Sequence, residues 1–223
     1  MSTQISNYCE LVNRLPADTV VTFHDVSWEE YEDLLEQVRE ANGLRISYDD
    51  GTLHVMTLSP THENYARFIE TLIAIIRLRL RINIRSFGST TMRKRKQRKG
   101  NEPDASFYVQ TAAALGNRME INFETDPPPD VAVEIDVHHD SLGKLPIYAG
   151  LGIPELWRYD EIQMTICHLQ EGQYVKASAS RALPMLTSQI LTEFLTRLPK
   201  DGELETSLAF DQWLQAEPPP ANA

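Results

Sequence analysis

Trp28, Tyr31, Leu34, Leu35 and Val38 recur at helical spacing, and Ser27-Trp-Glu-Glu30 ahead of them is a capping box, so a helix is predicted to about Ala41. Apolar runs at Leu44–Tyr48 and Thr52–Leu58 flank Asp49-Asp50-Gly51, a hairpin signal with glycine where φ turns positive. Ser59-Pro60 then opens a long helix, with Ser as cap and Pro at the first helical position. Its apolar stripe is Tyr65, Ile69, Leu72, Ile73, Ile76 and Leu80. Extended segments are predicted at Ile82–Thr91, Ala105–Val109, Val131–Val137, Leu156–Tyr159, Met164–Leu169 and Tyr174–Ala179. A short helix falls around Pro146–Leu151, and two more at Thr187–Leu198 and Leu204–Leu214, before a frayed proline-rich tail at Glu217–Ala223. The order hairpin, long helix, strands, helix crossover predicts an α/β (α+β) sandwich. We divide it into a helical lead-in over 1–41, a core over 42–180 and a helical extension over 181–223.

Composition adds a core of ordinary size, since 42% of the 223 residues are hydrophobic and 24% charged. No apolar run reaches the length of a membrane span, because Arg77 interrupts the one beginning at Leu72. Met1–Glu10 has no basic region followed by an apolar stretch, and Cys9 and Cys167 form no CxxC. The expected compartment is therefore the reducing cytoplasm. Net charge is −11, but ten basic residues and no acidic one lie between Arg77 and Lys99. The remainder carries eleven basic against 32 acidic residues, a net −21. An acidic body with one concentrated basic stretch is a different object from a uniformly acidic protein.

Candidate chemistry centres on Glu102-Pro103-Asp104 entering one strand and Val131-Ala-Val-Glu134-Ile-Asp136 in the next. Strand alternation puts Glu134 and Asp136 on one face with Ala132, opposite Val131, Val133 and Ile135. If Asp104 opens a neighbouring strand, three carboxylates converge, and a hard divalent cation such as Mg²⁺ or Mn²⁺ would compensate their repulsion. Lys144 lies where the chain turns toward the next helix and could return to orient water. The plainer alternative is a solvated strand face, with Pro103-Asp104 a turn. Arg93, Lys94, Arg95, Lys96, Arg98 and Lys99 make six basic residues in seven, fit to face a phosphate backbone as a turn between strands. Arg77, Arg79 and Arg81 need no ligand near a helix C-terminus. His62 and Glu63 open the long helix, where Glu63 either binds metal or complements the helix dipole and His62 orients by hydrogen bonding. His138 and His139 read as surface histidines. No Walker motif, GxGxxG or nucleophile elbow supports a nucleotide cofactor or serine chemistry.

These residues resemble the PD-(D/E)XK nuclease superfamily, and more narrowly its restriction endonuclease family that began as a domain of unknown function. The matching stretches are Thr57–Glu63, Gly88–Thr91, Glu102–Asp104, Pro128–Asp136 and Leu145–Trp157, spread from about Asn42 to Tyr159. The resemblance implies a restriction-endonuclease-like mixed β-sheet flanked by helices, and Mg²⁺-dependent hydrolysis of double-stranded DNA. It makes Asp104 and Glu134 the metal ligands, joined by Asp136 and Glu63. The superfamily pattern carries lysine two residues after the Glu, where this chain has Asp136. Lys144, four residues before Tyr148, is expected to supply the displaced lysine. Double-strand cleavage by one site per chain would make a homodimer reasonable. The alternative is a catalytically inactive DNA-binding or partner-binding module that keeps the nuclease fold.

Overall fold

The computed structural model describes residues 15–17, 19–38, 43–137 and 139–216. Helix α1 (Trp28–Gln37) starts as the sequence predicts: Ser27 Oγ accepts from the Glu30 amide at 3.2 Å, and Glu30 accepts from the Ser27 amide at 2.8 Å. It ends at Gln37, with Val38 as its cap, and residues 39–42 lie outside the described ones. Strands β2 (Leu44–Asp49) and β3 (Thr52–Thr57) pair through a turn in which Asp50 and Gly51 have φ of 42° and 98°. Helix α2 (Pro60–Leu80) is capped by Ser59, which accepts from the His62 amide at 3.3 Å. It buries Tyr65, Ile69, Leu72, Ile73 and Ile76.

The expected extended segment at Ile82–Thr91 holds only β4 (Arg85–Ser86), because Gly88 turns the chain at φ 54°. The basic run instead contributes two strands of its own, β5 (Met92–Lys94) and β6 (Lys99–Asn101), around a 3₁₀ turn at Arg95–Gln97. Met92, Gly100 and Asn101 are buried, so these strands have an inward face despite their charge. Then follow β7 (Ala105–Tyr108), the short α3 (Ala112–Leu115) and β8 (Val131–Ile135). A crossover through α4 (Leu145–Leu151) leads to β9 (Glu155–Tyr159), β10 (Met164–Gln170) and β11 (Gln173–Ala177). Helices α5 (Ser188–Asp201) and α6 (Glu203–Ala216) follow, and residues 217–223 lie outside the described ones.

The expected mixed sheet flanked by helices is present, accompanied by a second, antiparallel sheet. The six-stranded sheet has order β11-β10-β9-β8-β7-β4 and is mixed, with β8 and β9 parallel across α4. The five-stranded sheet is antiparallel, β1-β3-β2-β6-β5, and its edge is β1 (Val20–Phe23), which sequence reading missed. Val131, Val133 and Ile135 pack with Phe107 and Trp157 beneath α2, α5 and α6. Ala132 and Leu156, on the opposite face, meet Ile147, Tyr148 and Leu151 of α4. On the five-stranded sheet, Tyr31 of α1 stacks on Tyr48 at 4.8 Å, with Trp28 edge-on to both. Among the described residues no helix is long and apolar enough to cross a membrane. Cys167 is a free, buried thiol, and Cys9 lies outside the described residues.

The aromatic cluster leaves no room at Gly100, where an added Cβ would collide with the Tyr31 hydroxyl and ring. Gly100→Ala should therefore destabilise the fold by about 1–3 kcal/mol through overpacking. Urea unfolding checks this, and an unchanged midpoint would show that Tyr31 moves aside freely.

Candidate active site

Six elements converge where the two sheets approach each other. Ala105 pairs with Val133, so Asp104 and Glu134 stand opposite one another one step further along β7 and β8. Opposed positions share a sheet face, so both carboxyls project to the α4 side. Asp104 Oδ2 accepts from the Ile135 amide at 2.7 Å, and Oδ1 accepts from Arg45 Nε at 3.0 Å. His62 Nε2, on the first turn of α2, lies 3.2 Å from Asp104 Oδ2 at ion-pair distance. Glu134 Oε2 accepts from Lys144 Nζ at 2.7 Å. Its Oε1 accepts from the Tyr148 hydroxyl and, at 3.2 Å, from Asn101 Nδ2. Asn101 Nδ2 also donates to the Tyr148 oxygen at 2.6 Å. The side chains of Asp104 and Glu134 are only 1% and 2% exposed, against 18% for Lys144. The acids are thus sealed in, and the lysine forms the solvent-side wall.

These contacts set the direction in which each group's pKa moves. Burial pushes the Asp104 carboxyl up, but His62, Lys144 and Arg45 outweigh it and hold the group below the usual Asp range. Glu134 goes the other way: burial dominates and, with Asp104's charge, keeps it above the usual Glu range despite Lys144. For Lys144, burial disfavours the ammonium, yet Glu134 and Asp104 prevail and raise its pKa. Two neighbouring acids therefore sit in environments that push their pKa values apart, as acid–base sites do.

Asp136 lies in an adjacent network, accepting from Arg158 at 2.5 Å and from Ser141 at 3.2 Å. Glu63 reaches the centre indirectly, since Arg45 donates to it at 3.0 Å while holding Asp104. His139 lines the cavity beside Glu134, and His138 lies outside the described residues. Among the described residues no three His, Cys, Asp or Glu side chains form a metal cage. Asp104 and Glu134 remain as hard donors, each with one oxygen, Oδ1 and Oε2, carrying a single hydrogen bond and a spare lone pair. The buried Asn101 Oδ1 beside them has no hydrogen-bond partner among the described residues. Such a donor set fits Mg²⁺, which binds through one or two carboxylates and keeps several waters.

The basic run differs from its sequence picture of uncompensated charge. Arg95 pairs with Glu29 and Glu32 of α1, Arg98 with Asp50 and Lys99 with Asp49, while Lys94 donates to the Leu151 carbonyl at 2.8 Å. Arg93 is 3.8 Å from Glu32. The counter-charges come from elements distant in sequence. Arg93, Arg95 and Lys96 line a cleft of about 970 Å³ that extends to Arg45, the partner of Asp104. Sequence reasoning missed Arg45 and Asn101, which arrive from the other sheet, and Tyr148 was marked only by its spacing from Lys144.

A mixed sheet flanked by helices thus carries opposed carboxylates and a lysine at one end of neighbouring strands. The chain belongs to the Uma2 family, described as "Putative restriction endonuclease", whose sequence profile matches residues 28–199. A crystal structure from Anabaena variabilis, titled as a putative nuclease belonging to DUF820, is similar at TM-score 0.47 and 18% identity. The match covers 67% of this chain and 90% of that one. No curated protein matches.

The pairing of Lys144 with Glu134 has a testable cost. Lys144→Met leaves buried carboxylates without their cation, which should destabilise the fold by about 3–5 kcal/mol near neutral pH. An acid whose folded pKa is raised contributes stability below its unfolded pKa and loses it as pH rises through the folded value. Losing Lys144 raises Glu134 further, so the gap from wild type should narrow between about pH 8 and about pH 5. Thermal melts at both pH values check this, and a pH-independent gap would contradict it.

Proposed function

We propose that this nuclease-family chain is a Mg²⁺-dependent (or Mn²⁺-dependent) endonuclease acting on double-stranded DNA. The observation that carries the proposal is the 2.7 Å contact of Lys144 with Glu134. The lysine absent from position 136 is replaced there by one ten residues beyond the acid. Asp104 and Glu134 would hold the cation, with Asp136 and Glu63 at the margin of the site. Bound there, the cation would supply Lewis-acid stabilisation of phosphoryl charge. Lys144 offers a fixed positive charge to the phosphate oxygens as charge develops. Tyr148 and Asn101 hold Glu134 in one orientation, and Arg45 and His62 do the same for Asp104. Sealed behind Lys144, these groups are set before substrate arrives, and little reorganisation is needed.

The basic run supports a DNA partner by its position. Exposed ion pairs are worth about 0–1 kcal/mol each, so phosphates can replace Glu29 and Glu32 on Arg93 and Arg95 at small cost. Arg98, Lys94 and Lys99 are tied to the body of the fold and help shape the hairpin. One site per chain cuts one strand, so a double-strand break calls for two copies.

Incubation of supercoiled plasmid with Mg²⁺ should give nicked product. Glu134→Ala and Lys144→Ala should each lower the rate at least 100-fold, as for loss of a charge-stabilising group. DNA binding without any metal-dependent nicking would instead identify an inactive binding module. Neutralising Arg93, Arg95 and Lys96 to Gln should weaken binding to unrelated sequences alike. It should also flatten the salt dependence by up to about 0.9 log units per lost contact. An unchanged salt slope would remove the cleft from the DNA path.

A further inference from the structure

We propose that His54 takes the proton from the attacking water, a role that rests on the hydrolytic function proposed above. A cavity of about 130 Å³ lies between the sheets, lined by His54, Ser47 and Met56 on one side and Glu134, Asp136 and Lys144 on the other. Hydrolysis at its edge needs a base, and the groups already described are committed. The Lys144 ammonium is held charged by Glu134 at 2.7 Å. The Tyr148 hydroxyl donates to Glu134, and burial drives its pKa well up. Asp104 and Glu134 are taken up as the donors to the cation in that reading, each through the oxygen with a spare lone pair. Asp136 accepts from Arg158 and Ser141, and Asp140 from the Leu142 amide.

His54 sits in β3 opposite Ser47 of β2 and Thr22 of β1, on the strand face away from the aromatic core. Thr22 Oγ1 lies 2.8 Å from Nδ1 and fixes the ring, leaving Nε2 without a hydrogen-bond partner among the described residues. Thr22 of β1 holds the ring, and Ser47 of β2, Glu134 and Asp136 of β8 and its end, and His139, Asp140 and Lys144 of the following loop line the same cavity. Burial first, then the charges of Lys144 and His24, hold the imidazole below its ordinary pKa, against a smaller pull from Asp49. The shift favours the neutral ring, and an imidazole anchored through Nδ1 accepts a proton at Nε2. In the step itself, the water oxygen bonds to phosphorus as its proton passes to His54. The bond from phosphorus to the leaving oxygen breaks, and that oxygen takes a proton from solvent water. The imidazolium then returns its proton to solvent.

His54→Gln should lower the cleavage rate about 100-fold or more, as for loss of a general base. Duplex affinity should stay within about twofold, and the acidic limb of the pH–rate profile should vanish. His139→Gln, the other imidazole of the cavity, should leave that limb in place. Independently of activity, NMR titration should find the His54 ring below the ordinary histidine range, moving upward in Lys144→Met. If His54→Gln unfolds, Thr22→Val serves instead, untying the ring and slowing cleavage several-fold. Cleavage that survives His54→Gln with an unchanged profile, or a ring titration indifferent to Lys144, overturns the base role alone. Wild-type protein that cuts no DNA overturns the hydrolytic reading and the base role with it.

Discussion

Two carboxylates sealed from water at the meeting of two sheets set the main constraint on this fold. Buried negative charge is tolerated only with compensation, and each acid has its own. Asp104 is met by Arg45, His62 and the Ile135 amide; Glu134 by Lys144, Tyr148 and Asn101. No strand or helix supplies two of these partners to the same acid, apart from Lys144 and Tyr148 on successive turns at the start of α4. The site therefore ties together β2, β6, β7, β8, α2 and α4, and loosening any of them uncovers a charge. A hydrophobic replacement would hold the sheets together at least as well. Keeping the charges makes sense if the pair has chemical work to do.

The same constraint explains why the fold has two sheets. The six-stranded sheet alone could bury Val131, Val133 and Ile135 beneath its helices and leave Glu134 to solvent. It is the second sheet, bringing Arg45 and Asn101 and closing over the cavity, that turns an amphipathic strand face into an interior. The basic hairpin belongs to that second sheet. Its position beside the acids thus follows from the pairing of β6 with β2, with the stem of Lys99 lying against Gly150 of α4.

What the sequence made legible is what is encoded locally. The capping box at Ser27, the Asp50-Gly51 turn, the stripe of α2 and the alternation through β8 each fit within one element, and each appears as expected. The partners of the acids are encoded at distance: Arg45 is 59 positions from Asp104, and Asn101 is 47 from Tyr148. No local rhythm announces them. Strands β5 and β6 were hidden for a different reason. Six charges in seven positions look like a solvated turn until Glu29, Glu32, Asp49 and Asp50 are seen to pair with Arg95, Arg98 and Lys99. Lys144 was legible as a candidate from its order after Glu134, but its reach depended on where the crossover to β9 began.

A preset cation site at Asp104 and Glu134, as proposed, differs from a purely structural ion-pair cluster in binding a free divalent ion. Titration with Mn²⁺, following the signal of the free ion by electron paramagnetic resonance, tests it without requiring substrate or turnover. Saturable binding is expected, weakening as pH falls toward the carboxylate range and disappearing in Asp104→Asn. Binding that does not saturate, or that is as strong in Asp104→Asn as in the wild type, would contradict it.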